Sequence, residues 1–271
     1  MNRLSAGCCA RRVSAMSNVS SRYLRVPALL EQLARTQHPQ TLAQLAQRLD
    51  LPKTTLMRIL QSLVGAGLVV DTPNEKGYVL GPRATLLALA TLRSPHFSRT
   101  SRAILGQLVQ ELGETCNLTT LEGDQVRYLD RVETHHLLRL QLEVGTHVPL
   151  HCTASGKLML ASMDASQRQQ ILDRISLERF TPRTLVDRQQ LETELVNIRQ
   201  RGVGLDREEF VLGMVAVAVP VLDAQQKVIA AVACHGPTAR VSMEFLLGSV
   251  PVLQKAAIAM GRALGDGAML W

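Results

Sequence analysis

Residues 41–65 read TLAQLAQRLDLPKTTLMRILQSLVG, and two short amphipathic helices fit this stretch. Thr41, with Gln44 three places on, has the form of a capping box, in which side chain and backbone satisfy each other at a helix start. Leu42, Leu45, Ala46 and Leu49 then recur on one helical face. Asp50-Leu51 ends that helix. Pro52 suits the first turn of the next, where its missing N–H would have had no partner. Leu56, Ile59, Leu60 and Leu63 supply a second buried stripe. In a helix-turn-helix the second helix lies in the major groove of DNA and packs its other face inward. With the stripe buried, the outward face presents Lys53, Thr54, Thr55, Met57, Arg58 and Gln61, a set of phosphate binders and base-edge readers. Thr54, Thr55 and Arg58 are the expected central contacts, and Thr41 joins the candidate set from the preceding helix.

The neighbouring segments extend this pattern. Upstream, Val26, Leu29, Leu30 and Leu33 mark a first helix, expected to end near Thr36 ahead of His38-Pro39. Downstream, Gly65 and Gly67 close the third helix. Leu68-Val69-Val70 and Tyr78-Val79-Leu80 are β-prone runs around a polar turn, Asp71 to Gly77, which reads as a wing. Its tip carries Asn74 and Lys76, candidates for a phosphate or minor groove, opposed by Asp71 and Glu75. Charge is divided unevenly: residues 1–82 hold ten Lys/Arg against four Asp/Glu, and residues 83–271 hold twenty against nineteen. A basic excess confined to one small segment is the footprint of a polyanion-binding module. Without residues 1–20, the excess is still seven against four.

Beyond the wing, Arg83–Leu92 reads as a linker helix broken at Ser94-Pro95, and Ile104, Leu105, Leu108, Val109 and Leu112 mark a longer helix closed by Gly113. Strands are expected at Asn117–Leu121, Val126–Asp130, Leu137–Leu142, Met214–Leu222 and Lys227–His235. Helices are expected at Ser155–Ser162, Ala165–Ile175, Arg188–Arg201 and Met243–Leu264. Strands joined by short turns and interleaved with helices define an α+β class with a largely antiparallel sheet. The expected domains are a disordered leader (1–20, with Met16 a second candidate start), a winged helix-turn-helix domain (21–82), a linker helix (83–98), a larger domain (99–264) and a tail (265–271).

At 271 residues and 46% hydrophobic content, the chain can bury two cores. Apolar runs such as Met214–Leu222 are far short of the roughly 20 residues of a membrane span, so the expectation is a soluble, cytoplasmic protein without a membrane partner. The five cysteines, Cys8, Cys9, Cys116, Cys152 and Cys234, are odd in number and lack CxxC spacing, which argues against a disulfide framework or zinc knuckle. Neither GxxxxGK[ST] nor a GxGxxG after a strand occurs. No cofactor is expected.

Several separated motifs resemble the IclR family of transcriptional regulators, in one order from about Ser21 to Leu264. In the head these are Leu51 to Leu60 and Gly77-Tyr78-Val79-Leu80-Gly81-Pro82. In the larger domain they are Gly113-Glu114-Thr115-Cys116-Asn117-Leu118, Tyr128-Leu129-Asp130-Arg131-Val132, Val148 to Lys157 and Gly213 to Val221. The resemblance implies a GAF-like effector-binding domain, dimers or tetramers assembled partly through the head and linker, palindromic double-stranded operators, and small organic acids as effectors. It also implies a pocket formed by Thr153, Ala154, Ser155 and Gly156, by Asp206, and by Met214, Ala216, Ala233 and His235 on the last two strands. Ala216 stands where the family often has cysteine, and Ala233 and His235 where it has serines. Fewer hydroxyl and thiol donors favour a less hydroxylated ligand, an aromatic or branched acid over a glyoxylate-like one, with His235 facing its carboxylate or carbonyl.

The sequence also admits two other readings. An effector-independent architectural DNA binder would lack any ligand-induced stabilisation. An enzyme fused to a DNA-binding head would need a site built from His147, His151, His235, Cys152, Cys234 and Asp206. No HExxH or CxxC spacing supports that, and His151 and Cys152, if extended, point to opposite faces. No catalytic or metal-ligating residue is therefore assigned. The default for the cysteines of the larger domain is a small buried hydrophobe, and for Lys157 a helix-terminal charge.

Overall fold

A computed structural model describes residues 23–265 apart from 35, 37, 74, 75, 93 and 94, and apart from the side chains of 92, 95–97 and 265. The leader 1–20, the tail beyond 265 and the wing-tip residues Asn74 and Glu75 lie outside the described residues. The chain divides into two units, 1–91 and 92–271.

In the first unit, α1 (Arg25–Ala34), α2 (Leu42–Leu49) and α3 (Lys53–Gly65) precede a hairpin of β1 (Val69–Thr72) and β2 (Gly77–Leu80). Leu29 and Leu33, Leu45 and Ala46, and Leu56, Leu60 and Leu63 meet Val69 in one core, with Ile59 half-buried against it. Each fully buried leucine contributes about 1.5–3 kcal/mol. The capping box is formed: the Thr41 hydroxyl accepts from Gln44 N at 3.2 Å, and Gln44 Oε1 accepts from Thr41 N at 2.8 Å. Asp50 turns the chain in the left-handed region at φ 51°. Pro52 is the cap of α3, one place earlier than expected, and its carbonyl accepts from Leu56 N at 3.0 Å. The wing gains a third partner, because Gln40 and Tyr78 exchange backbone hydrogen bonds of 3.0 and 2.9 Å. Gly77 permits this approach: a Cβ there would lie 2.8 Å from the Pro39 carbonyl carbon. The helix α4 (Pro82–Leu92) follows directly.

The second unit is built on a six-stranded sheet in the order β5-β4-β3-β8-β7-β6, antiparallel throughout. Its strands are β3 (Thr115–Glu122), β4 (Gln125–Val132), β5 (His147–Pro149), β6 (Gly204–Arg207), β7 (Met214–Leu222) and β8 (Val228–Pro237). The helices are α5 (Pro95–Leu112), α6 (Ala154–Ser162), α7 (Ala165–Leu172), α8 (Arg188–Arg201), α9 (Met243–Gly248) and α10 (Val250–Gly265). Strand alternation divides the side chains between two layers. Cys116, Leu118, Val217, Val219, Val232 and Cys234 pack under α5 and α10, whereas Ala218, Ala231 and Ala233 lie under α6 and α8. On β7 and β8 the first face carries mainly valines and the second alanines. Gly204 lets α6 approach closely, since a Cβ there would meet the Ala154 carbonyl oxygen at 2.1 Å.

Four expectations need correction. Leu137–Leu142 is not a strand: Leu137 is 95% exposed, and the Leu140 carbonyl accepts from the Arg131 guanidinium instead of a ladder partner. Two strands not expected from the sequence, β5 and β6, are three and four residues long, too short to show a period. The last helix is two, α9 and α10, with Ser249 capping α9 through backbone bonds to Phe245 and Leu246 and Pro251 in the first turn of α10. His151-Cys152 is not extended but bends into α6 with both side chains buried.

Candidate functional site

On α3 the structure separates the two faces. Lys53, Thr54, Met57, Arg58 and Gln61 are exposed and Thr55 is half-buried, opposite the buried leucines. Lys53 is the first residue of the helix. Thr41 differs from the others: its hydroxyl serves the α2 cap, donating to Gln44 Oε1 at 3.0 Å as well as accepting from Gln44 N. Lys76 is exposed in the wing turn at φ 51°.

In the second unit, the start of α6 stands over the alanine-bearing face of the sheet and leaves a cavity between them that is partly open to solvent. Thr153 caps α6 by accepting from Gly156 N at 3.1 Å. Thr153, Ala154 and Ser155 form one wall. Asp206, Ala216 and His235 form the floor in a single row, because Asp206 pairs with Ala216 and Ala216 with His235 across β6, β7 and β8. Met214 and Ala233 complete the expected lining. Gly156 does not line the cavity; it packs on Leu150, whose carbonyl oxygen a Cβ would meet at 2.3 Å.

Other lining residues were not anticipated. Asn117 and Thr119 on β3, and Val126 and Tyr128 on β4, extend the floor. Leu140 comes from the β4–β5 connection, and Phe210 and Val211 from the β6–β7 connection. The polar Asn117 and Thr119 alternate with buried Cys116 and Leu118, a two-residue period that could have placed them on the cavity face.

Burial controls the titratable groups. Desolvation foremost, with the nearby charge of Glu209 adding to it, raises the Asp206 carboxyl to about 7, against the opposing effects of the Glu209 N–H and of Lys157. Asp206 Oδ1 accepts from Glu209 N at 2.7 Å. Burial, with a smaller contribution from Arg131, depresses His235 to about 3, so its imidazole is neutral at neutral pH. Asn117 Nδ2 lies 3.4 Å from His235 Nδ1. With the amide donating, the ring proton is on Nε2. Lys157, expected at a helix end, is instead wholly buried and paired with Glu209. A buried lysine is retained only with such a partner.

The rival site does not assemble. His151 Nε2 is 2.9 Å from the Glu178 carbonyl oxygen, His147 pairs with Glu122 on the other side of the sheet edge, and Cys116, Cys152 and Cys234 are free and buried. No cluster of three or more His, Cys, Asp or Glu that could hold a metal occurs among the described residues. Nor does any described helix have the length and apolarity to cross a membrane.

A winged helix-turn-helix joined to a domain with a partly enclosed, mostly apolar cavity defines a DNA-binding regulator that responds to a ligand. The chain belongs to the IclR family: residues 89–262 match the model "Bacterial transcriptional regulator IclR C-terminal", and residues 24–73 match "IclR helix-turn-helix domain". It is 43% identical over 243 residues to the "Probable transcriptional regulator SauR" of Cupriavidus necator, covering 89% of this chain and 96% of that protein. A solved IclR homolog from Microbacterium hydrocarbonoxydans, complexed with 4-hydroxybenzoate, is 26% identical with a TM-score of 0.57, covering 90% of this chain and 99% of that one. The inducer-binding domain of PobR from Acinetobacter, a double mutant in complex with 3-hydroxybenzoic acid, is 29% identical with a TM-score of 0.56 over 60% of this chain and 97% of that one. The chain is thus a transcriptional regulator with an effector-binding domain, and not an enzyme.

Proposed function

We propose that this regulator senses an aromatic or branched organic acid held in the cavity under α6. The observation that carries this reading is the composition of the wall. Tyr128, Leu140, Val148, Phe210, Val211 and Met214 supply a broad apolar surface, while polar groups are few: Thr153, Ser155, Asp206, Asn117, Thr119 and His235. Such a cavity gains most from burying a ring or branched chain and uses its few polar groups to orient the ligand. Ala216 and Ala233 widen the floor where a larger side chain would fill it. The aromatic acids bound by the Microbacterium and Acinetobacter relatives are of this kind.

In this reading residues 21–82 bind the operator, 83–98 link, and 99–264 bind the effector, in the cytoplasm. Thr54, Thr55 and Arg58 make the central DNA contacts, flanked by Lys53, Met57 and Gln61. Lys76 reaches a phosphate from the wing, and Thr41 positions α2. The active form is a homodimer or a tetramer, with α4 contributing an apolar contact: Leu86 is 65% and Leu87 57% exposed, surface that association would remove from water. Ligand binding shifts the arrangement of the two copies and thereby the spacing of their α3 helices, a coupling of about 1–3 kcal/mol for effects of this class.

The test is a thermal-shift screen of the full chain against aliphatic and aromatic carboxylic acids, repeated with His235→Ala. Stabilisation by aromatic or branched acids that weakens in the variant is the expected result. Stabilisation by none, or equal stabilisation of both proteins, would remove the assignment.

A further inference from the structure

Six buried side-chain nitrogen or oxygen atoms lack a hydrogen-bond partner among the described residues, and four of them belong to Asn117, Arg131 and His235. Chance would scatter such atoms; here they share one side of the sheet. Asn117 pairs with Arg131 on one neighbouring strand and with Ala233 on the other, and His235 is two residues beyond Ala233. The unpartnered atoms are Asn117 Oδ1, Arg131 Nε and Nη1, and His235 Nε2.

Arg131 reaches this face through a β-bulge. The register places Thr119 opposite Tyr128 and Leu118 opposite Asp130, leaving Leu129 unopposed. In an unbroken ladder Asp130 would stand opposite Asn117, on the cavity face. The extra residue replaces it with Arg131 and turns Asp130 to the other layer, where Ser101 donates to it. A bulge of this kind re-aims side chains and recurs beside functional sites. Here it exchanges an anion for a cation directly behind the cavity lining, against Tyr128 and Leu140.

That cation is poorly compensated. The Arg131 side chain is 3% exposed, and its Nε is 3.4 Å from Oε1 of Glu133, which is itself one-third exposed. Glu133 is shared with Arg139, at 2.7 Å. The remaining contacts of Arg131 are neutral: the carbonyl of Leu140 and the ring of Tyr128, 6.0 Å from the guanidinium carbon. Both residues line the cavity. Burying a charge whose only ionic partner is shared and partly exposed costs stability, and Nη1, without a hydrogen-bond partner among the described residues, leaves the guanidinium able to take a carboxylate oxygen. Asp206 lies at the opposite side of the floor, four strands away, roughly 19 Å along the sheet at about 4.8 Å per strand.

We propose that Arg131, together with the Nε2–H of His235, is the acid-holding end of the cavity, so that the effector's anionic group faces Arg131 and its uncharged, hydrogen-bond-donating end faces Asp206. The wall thus selects an acid carrying a donor such as a hydroxyl at its far end. This rests on the cavity being the effector site, and Arg131 is then its specificity-determining residue.

The experiment compares full-length wild type, Arg131→Met, Arg131→Lys and Asp206→Asn by thermal unfolding, each alone and with 4-hydroxybenzoate, benzoate or the neutral 4-hydroxybenzamide. Without ligand, Arg131→Met should melt no lower than wild type and up to about 2–4 °C higher, because an uncompensated buried charge has been removed. The two acids should stabilise wild type and Asp206→Asn but not Arg131→Met, with part of the effect restored in Arg131→Lys. A melting point several degrees lower for ligand-free Arg131→Met would make Arg131 a structural cation and overturn the proposal. So would acid stabilisation that survives in Arg131→Met and is lost in Asp206→Asn. If no probe acts on wild type, the aromatic-acid reading falls by itself. The ligand-free comparison then still decides: a raised melting point supports a charge awaiting an anion, and a lowered one refutes it.

Discussion

Replacing Asp206 with asparagine should stabilise the ligand-free protein, and more so at higher pH. Burial holds this carboxyl at about 7 in the folded chain against an ordinary value of 3.8. Below pH 3.8 the group is protonated in both states and contributes nothing. As pH rises from there to about 7, the unfolded chain ionises while the folded one keeps its proton, so folding becomes progressively less favourable. Above about 7 the penalty is constant. Three pH units at about 1.4 kcal/mol each set it near 4 kcal/mol at pH 8, and near 1.5 kcal/mol at pH 5. Asparagine does not ionise, and its Oδ1 can still accept the Glu209 N–H that Asp206 accepts at 2.7 Å. Urea unfolding of both proteins at pH 5 and pH 8 should therefore show the variant's advantage growing by about 2.5 kcal/mol. Titrations common to both proteins cancel in the difference. An advantage that is the same at both pH values, or a variant less stable at pH 8, would mean that Asp206 is ionised in the folded state at ordinary carboxylate pH.

His235 carries the opposite dependence: with its folded value near 3 against 6.5, the stability it permits is complete above pH 6.5 and declines as pH falls toward 3, so His235→Gln should gain about 3 kcal/mol on wild type between pH 7.5 and pH 4 in the same assay. Arg58→Ala should weaken operator binding by about 1–3 kcal/mol if Arg58 reads a base, or reduce the salt slope by about one if it holds a phosphate; unchanged affinity and slope in a fluorescence-anisotropy titration would remove Arg58 from the interface. Gly156→Ala puts a methyl 2.3 Å from a backbone oxygen and should cost about 3 kcal/mol or more, read as a lower urea midpoint; an unchanged midpoint would mean that Leu150 moves freely. Cys116, whose thiol is pushed up first by its hydrogen bond with Cys234 and then by burial, and Cys152, pushed up by burial, should resist iodoacetamide until the chain is denatured, as mapped by mass spectrometry.

The head was the more legible half because its information is local. Each helix announces itself by leucines at helical spacing, and Thr41, Gln44 and Pro52 mark its boundaries within a few residues. The larger domain was legible where a strand has a long apolar run, as at Met214–Leu222, which the structure reproduces residue for residue. The strand Gly204–Arg207 has no such run; it is extended because Asp206 and Leu205 pair with β7, a partner that is remote in sequence. Lys157 shows the same limit, since its burial depends on Glu209, 52 residues away. Arg131 stands in the Tyr128–Val132 motif, but which face of the sheet it takes follows from an unopposed Leu129. Strand parity counted along the sequence assigns it to the wrong side.

The central claim is that a small acid in the second unit alters DNA binding by the first. The most direct measurement is selection of duplexes from a random pool by the full chain, followed by anisotropy titration of the enriched sequence with and without an acid that stabilises the protein. Recovery of an inverted repeat whose affinity the acid changes by roughly 5- to 150-fold is the predicted result. An enriched sequence bound equally well with and without every stabilising acid would leave a DNA-binding protein and contradict the coupling.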